Sequence, residues 1–280
     1  MNIFDLILVQ PLANGLALFA KVLFGNIGLA IIAFSLVLRV ALNPLTKPYM
    51  ESMKKMKEHG PELAKLKEKH KGDKQKAMAA QADFYKAKGI NPGAGCLPYL
   101  LQIVVLIALF TVFSRVLTGN GEVMDRFNHL LYEPIKFAQG TNLSTKFLYL
   151  DVVKPDTFKI AALPFALPGP VLILAALVQF VSAKIAVPYV EQEKKAAKKT
   201  PGAGDDFAVA MQSSAIYTFP LMTIVIGLRF SSGLALYWLL FSLYQAVQQY
   251  QSSGWGGMTP WLVKLNLLKS PQSKWQRHQK

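Results

Sequence analysis

GNIGLAIIAFSLVLRVALNPL, residues 25–45, decides the fold class. Residues 22–38 carry no Asp, Glu, Lys or Arg, Arg39 interrupts the run once, and the apolar stretch resumes as far as Thr46. A hydrocarbon core about 30 Å thick is crossed by roughly 20 apolar helical residues, so this stretch predicts a transmembrane helix. Four further windows, 89–114, 160–183, 207–228 and 230–263, are free of Asp, Glu, Lys and Arg. They predict spans at about 97–117, 167–187, 212–229 and 233–250. Of the 280 residues, 52% are hydrophobic and only 17% are charged, which is too apolar for a soluble domain of this size. The expected fold is therefore an all-α polytopic membrane protein with a five-transmembrane-helix core, residues 25–250.

The window 6–20 is short, contains Pro11 and leaves almost no turn before the next span. It reads as an interfacial helix within residues 1–24. The first 20 residues hold no Lys or Arg and no small-residue cleavage site follows, so the stretch does not read as a signal peptide. The formal charge of +15 is distributed like a topology signal and not like a nucleic-acid footprint. Twelve Lys or Arg lie in 46–96, five in 184–211 and five in 251–280, whereas residues 1–24 hold only Lys21 and the five in 118–166 are matched by five acids. The positive-inside rule then puts the N-terminus outside and the first connection, the third connection and the basic tail, 251–280, in the cytoplasm.

The first cytoplasmic segment, 47–88, reads as a helical hairpin turning at Lys71-Gly72-Asp73, with Gly60-Pro61 kinking or restarting its first arm. Met50, Met53, Met56, Leu63 and Leu66 form a sparse apolar stripe beside a basic face. That face fits a solvated surface near anionic headgroups equally with a protein or ribosomal RNA contact. The external loop, 118–166, predicts short helices and turns, and Glu191–Asp206 predicts a flexible linker. The single cysteine, Cys96, excludes an intramolecular disulfide and lacks the companions of a zinc site. No phosphate loop, HExxH or Gly-rich dinucleotide turn is present, and His59, His70, His129 and His278 all lie outside the expected spans. An enzyme is not expected, and neither is a cofactor or metal.

What remains is polarity inside the spans. Arg39 lies about two helical turns before Lys47, and Ser35 and Asn43 sit four residues to either side of it, on one helical face. An intramembrane Arg usually faces a bundle interior or a wet cavity. The plain alternative is an Arg snorkelling to the interface, which needs no polar neighbours in both directions. In the fifth expected span Trp238, Ser242, Gln245 and Gln249 recur at steps of four, three and four; Gln102 opens the second span, and Gln179 and Ser182 lie toward the inner end of the third. Interhelical hydrogen bonding explains any one of these. Together with Arg39 they outline a hydrophilic recess.

At this point the chain resembles the YidC/Oxa/Alb insertase family from about Pro11 to Tyr250. GNIGLAIIAFSLVLRVALNPL at 25–45 is similar to the family's first core span with its arginine, GINPGAGCLPYLLQ at 89–102 to the entry of the second span, FLYLDVVKPD at 147–156 to the external loop, and GLALYWLL at 233–240 to the fifth span. The resemblance implies an insertase of the compact bacterial type, with a groove open to the cytoplasm and to lipid but closed on the outer side. It places Arg39 at the groove arginine and matches Gln102 and Trp238, while either Ser182 or Gln179 fills the polar position of the third span. It implies nascent membrane proteins and the lipid bilayer as partners, with the ribosome, the signal recognition particle receptor and the Sec channel as further candidates. No sequence-specific nucleic acid is expected. With no transit peptide visible, the expected location is a bacterial plasma membrane. The alternative is a small-solute transporter or channel with Arg39 in its binding site, which inverted repeats with broken helices would favour; no matching halves stand out. A passive assembly scaffold would need no wet groove at all.

Overall fold

The computed structural model describes residues 2–70, 72–90, 97–118, 122–186 and 203–268. Cys96, Lys71, the Gly-Asn-Gly of 119–121, residues 191–202 of the expected linker and the tail beyond 268 lie outside them, as do the side chains of Gln102, Met50, Met53 and Met56. The described residues are mostly helical, with no closed barrel. A π-turn at Asp5–Val9 leads into α1 (Gln10–Val22), followed by α2 (Ile27–Glu58), α3 (Gly60–Lys69), α4 (Lys74–Ala87), α5 (Leu97–Leu117) and α6 (Val123–Asn128). Then come α7 (Pro170–Ala186), α8 (Ala203–Gly227), α9 (Ser232–Ser253) and the short α10 (Thr259–Lys264).

The apolar content of these helices exceeds what the core can bury. The largest helix interfaces are α7 with α9, α2 with α9, and α7 with α8. Their outward faces stay apolar: Ile103, Val104 and Ile107 on α5, Leu174 and Leu177 on α7, Leu221 and Val225 on α8, and Leu243 and Val247 on α9 are all exposed. A soluble surface would not present so many contiguous aliphatic side chains, whereas lipid favours them. Among the described residues Ile27–Pro48 and Asp5–Val22 are long and apolar enough to cross a bilayer, with shorter apolar runs at Ile103–Leu117, Pro170–Ala186 and Ile216–Gly227.

One end of the bundle is sealed by residues 122–169. Ile27 N–H donates to Ser144 O (2.9 Å), Ser232 N–H to Lys154 O (2.7 Å) and Gly233 N–H to Val152 O (3.1 Å), so the loop satisfies the orphan donors that open α2 and α9. At α7 the buried Asp156 carboxylate accepts from Leu172 N–H (2.8 Å) and from the Tyr149 hydroxyl (3.2 Å), while Val171 N–H donates to that hydroxyl oxygen (3.0 Å). Burial above all, with the Asp156 carboxylate adding, pushes the Tyr149 phenol above its ordinary value against the pull of the Val171 N–H. Gly233 has its place because a Cβ there would press on the Ile31 and Leu117 side chains at 3.0 Å, where α2, α5 and α9 converge. This loop departs from the expected short helices and turns in one respect: two antiparallel ribbons form, β1 (Lys146–Phe147) with β2 (Leu150–Asp151), and β3 (Thr157–Phe158) with β4 (Leu167–Pro168). The first turns at Leu148, whose φ of 53° is a conformation that glycine or asparagine would normally announce.

The helix α1 is tied along its length to this same end. Asp5 pairs with Arg115 in the last turn of α5 (3.0 Å), the buried Asn14 amide donates to Leu130 O (3.3 Å) and accepts from Tyr132 N–H (2.8 Å), and Lys21 donates to Lys136 O (3.0 Å). Val9, Ala13, Leu16, Ala17 and Ala20 form its fully buried stripe.

At the opposite end α2 runs on past Pro44 and Pro48 into the basic arm. The helix breaks at His59, where Gly60-Pro61 begins α3. Asp73 caps α4 by accepting from Lys76 N–H (3.1 Å), and Glu62 gathers the base of the arms by binding Lys88 (2.8 Å) and His59 (3.2 Å). These bonds, Lys88 first and then His59, hold the Glu62 carboxyl below its ordinary range. Leu63 is buried beneath them. Composition predicts a linker through Asp206, yet α8 already starts at Ala203.

Candidate functional site

The site is built on the facing surfaces of α2 and α9. With a rise of about 1.5 Å per residue, Arg39 lies roughly 18 Å along α2 from the sealed end. Its guanidinium carbon sits 3.6 Å from the Phe241 ring centroid and 5.5 Å from that of Tyr244. Among the described residues no carboxylate lies within ion-pair distance of it, and its Nε is buried without a hydrogen-bond partner. Aromatic faces thus stand in for a counter-ion, stabilising the cation by about 2 kcal/mol when desolvated.

Toward the basic hairpin the interface becomes polar. Asn43 Nδ2 donates to the Tyr244 hydroxyl (2.7 Å), Gln248 Nε2 donates to Asn43 Oδ1 (2.7 Å), and Thr46 Oγ1 donates to Asn43 O (3.0 Å). A cleft of about 390 Å³ opens beside this network, lined by Asn43, Pro44, Lys47, Gln248, Gln251 and Ser252. Proline has no N–H, so Pro44 and Pro48 leave the Val40 and Pro44 carbonyls without their usual helical donors just where the cleft forms. The assembly is a cation deep between two helices with amides, hydroxyls and freed carbonyls leading to it from one end. Nothing in it is a nucleophile poised beside a base.

The expected residues fall into three groups. Arg39 and Asn43 come together with α9. Ser35 is buried and donates to Ile31 O (2.5 Å) within its own helix. Trp238, Ser242 and Gln249 are buried in α9, but the side chains that meet Arg39 and Asn43 are Phe241, Tyr244 and Gln248. On α7, Gln179 accepts from the Thr223 hydroxyl of α8 (2.6 Å), which leaves Ser182, buried with its Oγ unpartnered among the described residues, as the freer polar group.

The chain matches the 60Kd inner membrane protein family over residues 19–254, from the end of α1 through α9. It belongs to this YidC/Oxa/Alb family. Among curated proteins it is 32% identical to a membrane protein insertase YidC of Fusobacterium nucleatum over 227 residues, 81% of this chain and 85% of that protein. It is 27% identical to a membrane protein insertase YidC 2 of Bacillus anthracis, covering 88% of this chain and 79% of that one. It is also 30% identical to an ALBINO3-like protein 1 of Arabidopsis thaliana chloroplasts, covering 90% and 48%. Other relatives are much longer: the chain spans 34% of the Syntrophobacter fumaroxidans insertase. The family is one of non-enzymatic membrane insertases.

Phe241, Tyr244, Gln248 and Thr46 also line the α2–α9 interface, although no motif in the sequence marks them. The signal was available in part. Residues 241, 244 and 248 follow the same helical steps as the stripe beside them, but two of the three are aromatic and read as packing residues.

Proposed function

We propose that this chain inserts transmembrane segments of other proteins into the membrane and helps them fold, using the α2–α9 recess as a hydrophilic groove open to cytoplasm and lipid. The observation that carries the reading is the Arg39 cation held roughly 18 Å along α2 on aromatic faces, without a carboxylate among the described residues. In this reading α2, α5, α7, α8 and α9 are the five spans, α1 lies in the outer interface, and 122–169 closes the outer side. The N-terminus is outside and the C-terminus cytoplasmic, in a bacterial plasma membrane. The alternation of helix ends at the sealed side and the Lys/Arg excess of 46–96 support that topology.

Solvent physics supplies the drive without nucleotide. A charged residue at the bilayer centre costs about 2.5–3.5 kcal/mol on insertion scales, while each central Leu, Ile, Phe or Val contributes about 0.3–0.6 in favour. A substrate span is therefore driven in by its own apolar residues, and its polar flank is the obstacle. A recess that carries polar groups halfway across shortens the apolar path for that flank, and Arg39 attracts acidic residues in it. The basic hairpin, α2 beyond Lys47 with α3 and α4, receives nascent chains from the ribosome or the signal recognition particle receptor, with hand-over to or from the Sec channel as a further step.

The test is site-specific photocrosslinking to a stalled nascent membrane protein. A probe at Asn43, Tyr244 or Gln248 is expected to capture the substrate span or its flank, and a probe at the lipid-facing Val225 far less. Equal capture at all four positions would remove the groove.

A further inference from the structure

Beyond α9 the chain reverses. Gly254 adopts a φ of 65° and Gly256 one of 45°, the turn Gly256–Met258 packs on α7, and the Trp255 ring packs at a tilt of 55° on Tyr250 with centroids 4.7 Å apart. The short α10 is thereby brought against the last turns of α7. Its Trp261 lies 5.9 Å from Phe180, and Phe180 lies 5.6 Å from Tyr217 of α8. Trp261 and Tyr217 flank Lys184 in the last turn of α7, whose Nζ is 5.0 Å from the Trp261 centroid and 5.9 Å from that of Tyr217.

This cluster sits where an apolar helix ends, and it is not a closed core. Trp261 is 46% exposed, Tyr217 58%, Leu265 66% and Leu267 68%, with Lys264 exposed between them. Trp and Tyr beside Lys, with exposed Leu, is the composition that settles at the headgroup level of a bilayer. The box already holds a cation, so its next ligand is an anion and not a choline group. Among the described residues no carboxylate reaches ion-pair distance of Lys184.

We propose that Lys184, Trp261 and Tyr217 form an interfacial site for the phosphate of an anionic phospholipid headgroup, held at the edge of α7 and α8 by the chain reversal after α9. Phe180 backs the site, Trp261 and Leu265 enter the acyl boundary, and Lys184 with Lys264 meets the headgroup charge. The site requires the membrane but not the insertase reading, so the two fail separately.

The experiment uses the full chain in nanodiscs, with Trp238, Trp255 and Trp275 replaced by Phe so that Trp261 alone emits. Its fluorescence is compared in phosphatidylcholine discs containing equal fractions of acyl-brominated phosphatidylglycerol or acyl-brominated phosphatidylcholine. Several-fold stronger quenching by the brominated phosphatidylglycerol is expected. Lys184→Gln should reduce that preference about fivefold, the equivalent of about 1 kcal/mol per basic side chain at an anionic surface. Lys184→Arg should retain it, and excess inorganic phosphate should leave it unchanged. Equal quenching by both lipids, or an unchanged preference in Lys184→Gln, overturns the proposal. Suppression by inorganic phosphate reassigns the site to a free anion, and absence of quenching by either lipid assigns the exposed rings to a protein partner; both overturn it too.

Discussion

Replacing Arg39 with Ala removes a positive charge roughly 18 Å from the sealed end of α2, stacked on Phe241 at 3.6 Å. An acidic side chain of a passing substrate about 4 Å from that charge gains about 4 kcal/mol at an effective dielectric of 20, but only about 1 kcal/mol in bulk water. The first value exceeds the roughly 2.5–3.5 kcal/mol that the acid costs at the bilayer centre, and the second does not. The magnitude of the Arg39→Ala defect therefore reports how wet the groove is. It is bounded between about fivefold and about 10³-fold in insertion of a substrate with an acidic translocated flank. A substrate with a neutral flank should lose little. Arg39→Lys keeps the charge and the flank discrimination, but forfeits part of the ring stacking, so it should fall between wild type and Ala. The assay is protected-fragment yield for paired substrates that differ only in flank charge, at matched expression. Wild-type yield from Arg39→Ala on both substrates would remove the electrostatic role and leave a snorkelling arginine.

Asp156→Ala should lower the melting temperature in detergent by several degrees, since it leaves Leu172 N–H and the Tyr149 hydroxyl without their shared acceptor, a loss of roughly 2–4 kcal/mol; Asp156→Asn, which keeps one acceptor oxygen, should lose less. Glu62 has a lowered pKa in the folded chain, so its contribution to the hairpin base is present above the ordinary carboxyl range and is lost as pH falls through the lowered value. Spin-label distances between arms α3 and α4 should stay fixed at neutral pH and broaden in acid, and Glu62→Gln should broaden them at neutral pH. Single cysteines in a Cys96→Ser background should react only from the cytoplasm at residues 74, 200 and 275 and only from outside at 140; labelling of 140 from the cytoplasm would end the five-span topology.

The helices were legible in the sequence because charge-free runs of about 20 residues leave few alternatives, and the break before Gly60-Pro61 because a glycine, the poorest helix former after proline, directly precedes the proline there. Arg39 stood out for the same reason, as a cation in an apolar run. The face of α9 that meets it was not legible. Trp238, Ser242, Gln245 and Gln249 share a face by spacing, yet spacing says which side chains lie together and not which neighbour they meet. Rotation of α9 about its axis is set by packing against α7 and α2, and the structure turns Phe241, Tyr244 and Gln248 toward α2. The ribbon of β1 and β2 was hidden because Leu148 takes a positive φ without glycine. The Asp156 cap was hidden because the carboxylate lies in the loop, 16 positions before the Leu172 N–H that it accepts from, and not at the residue preceding the helix.

An insertase of this kind lowers, by itself, the barrier for a transmembrane segment to enter a bilayer. The direct test is reconstitution of the purified chain into otherwise protein-free vesicles, without nucleotide, followed by protease protection of a short single-span substrate and, in parallel, measurement of small-anion flux. Substrate insertion well above that of empty vesicles is expected, reduced by Arg39→Ala for acidic flanks, with no anion flux. Anion flux that depends on Arg39, with substrate insertion no greater than in empty vesicles, would contradict it and make the recess a solute pathway.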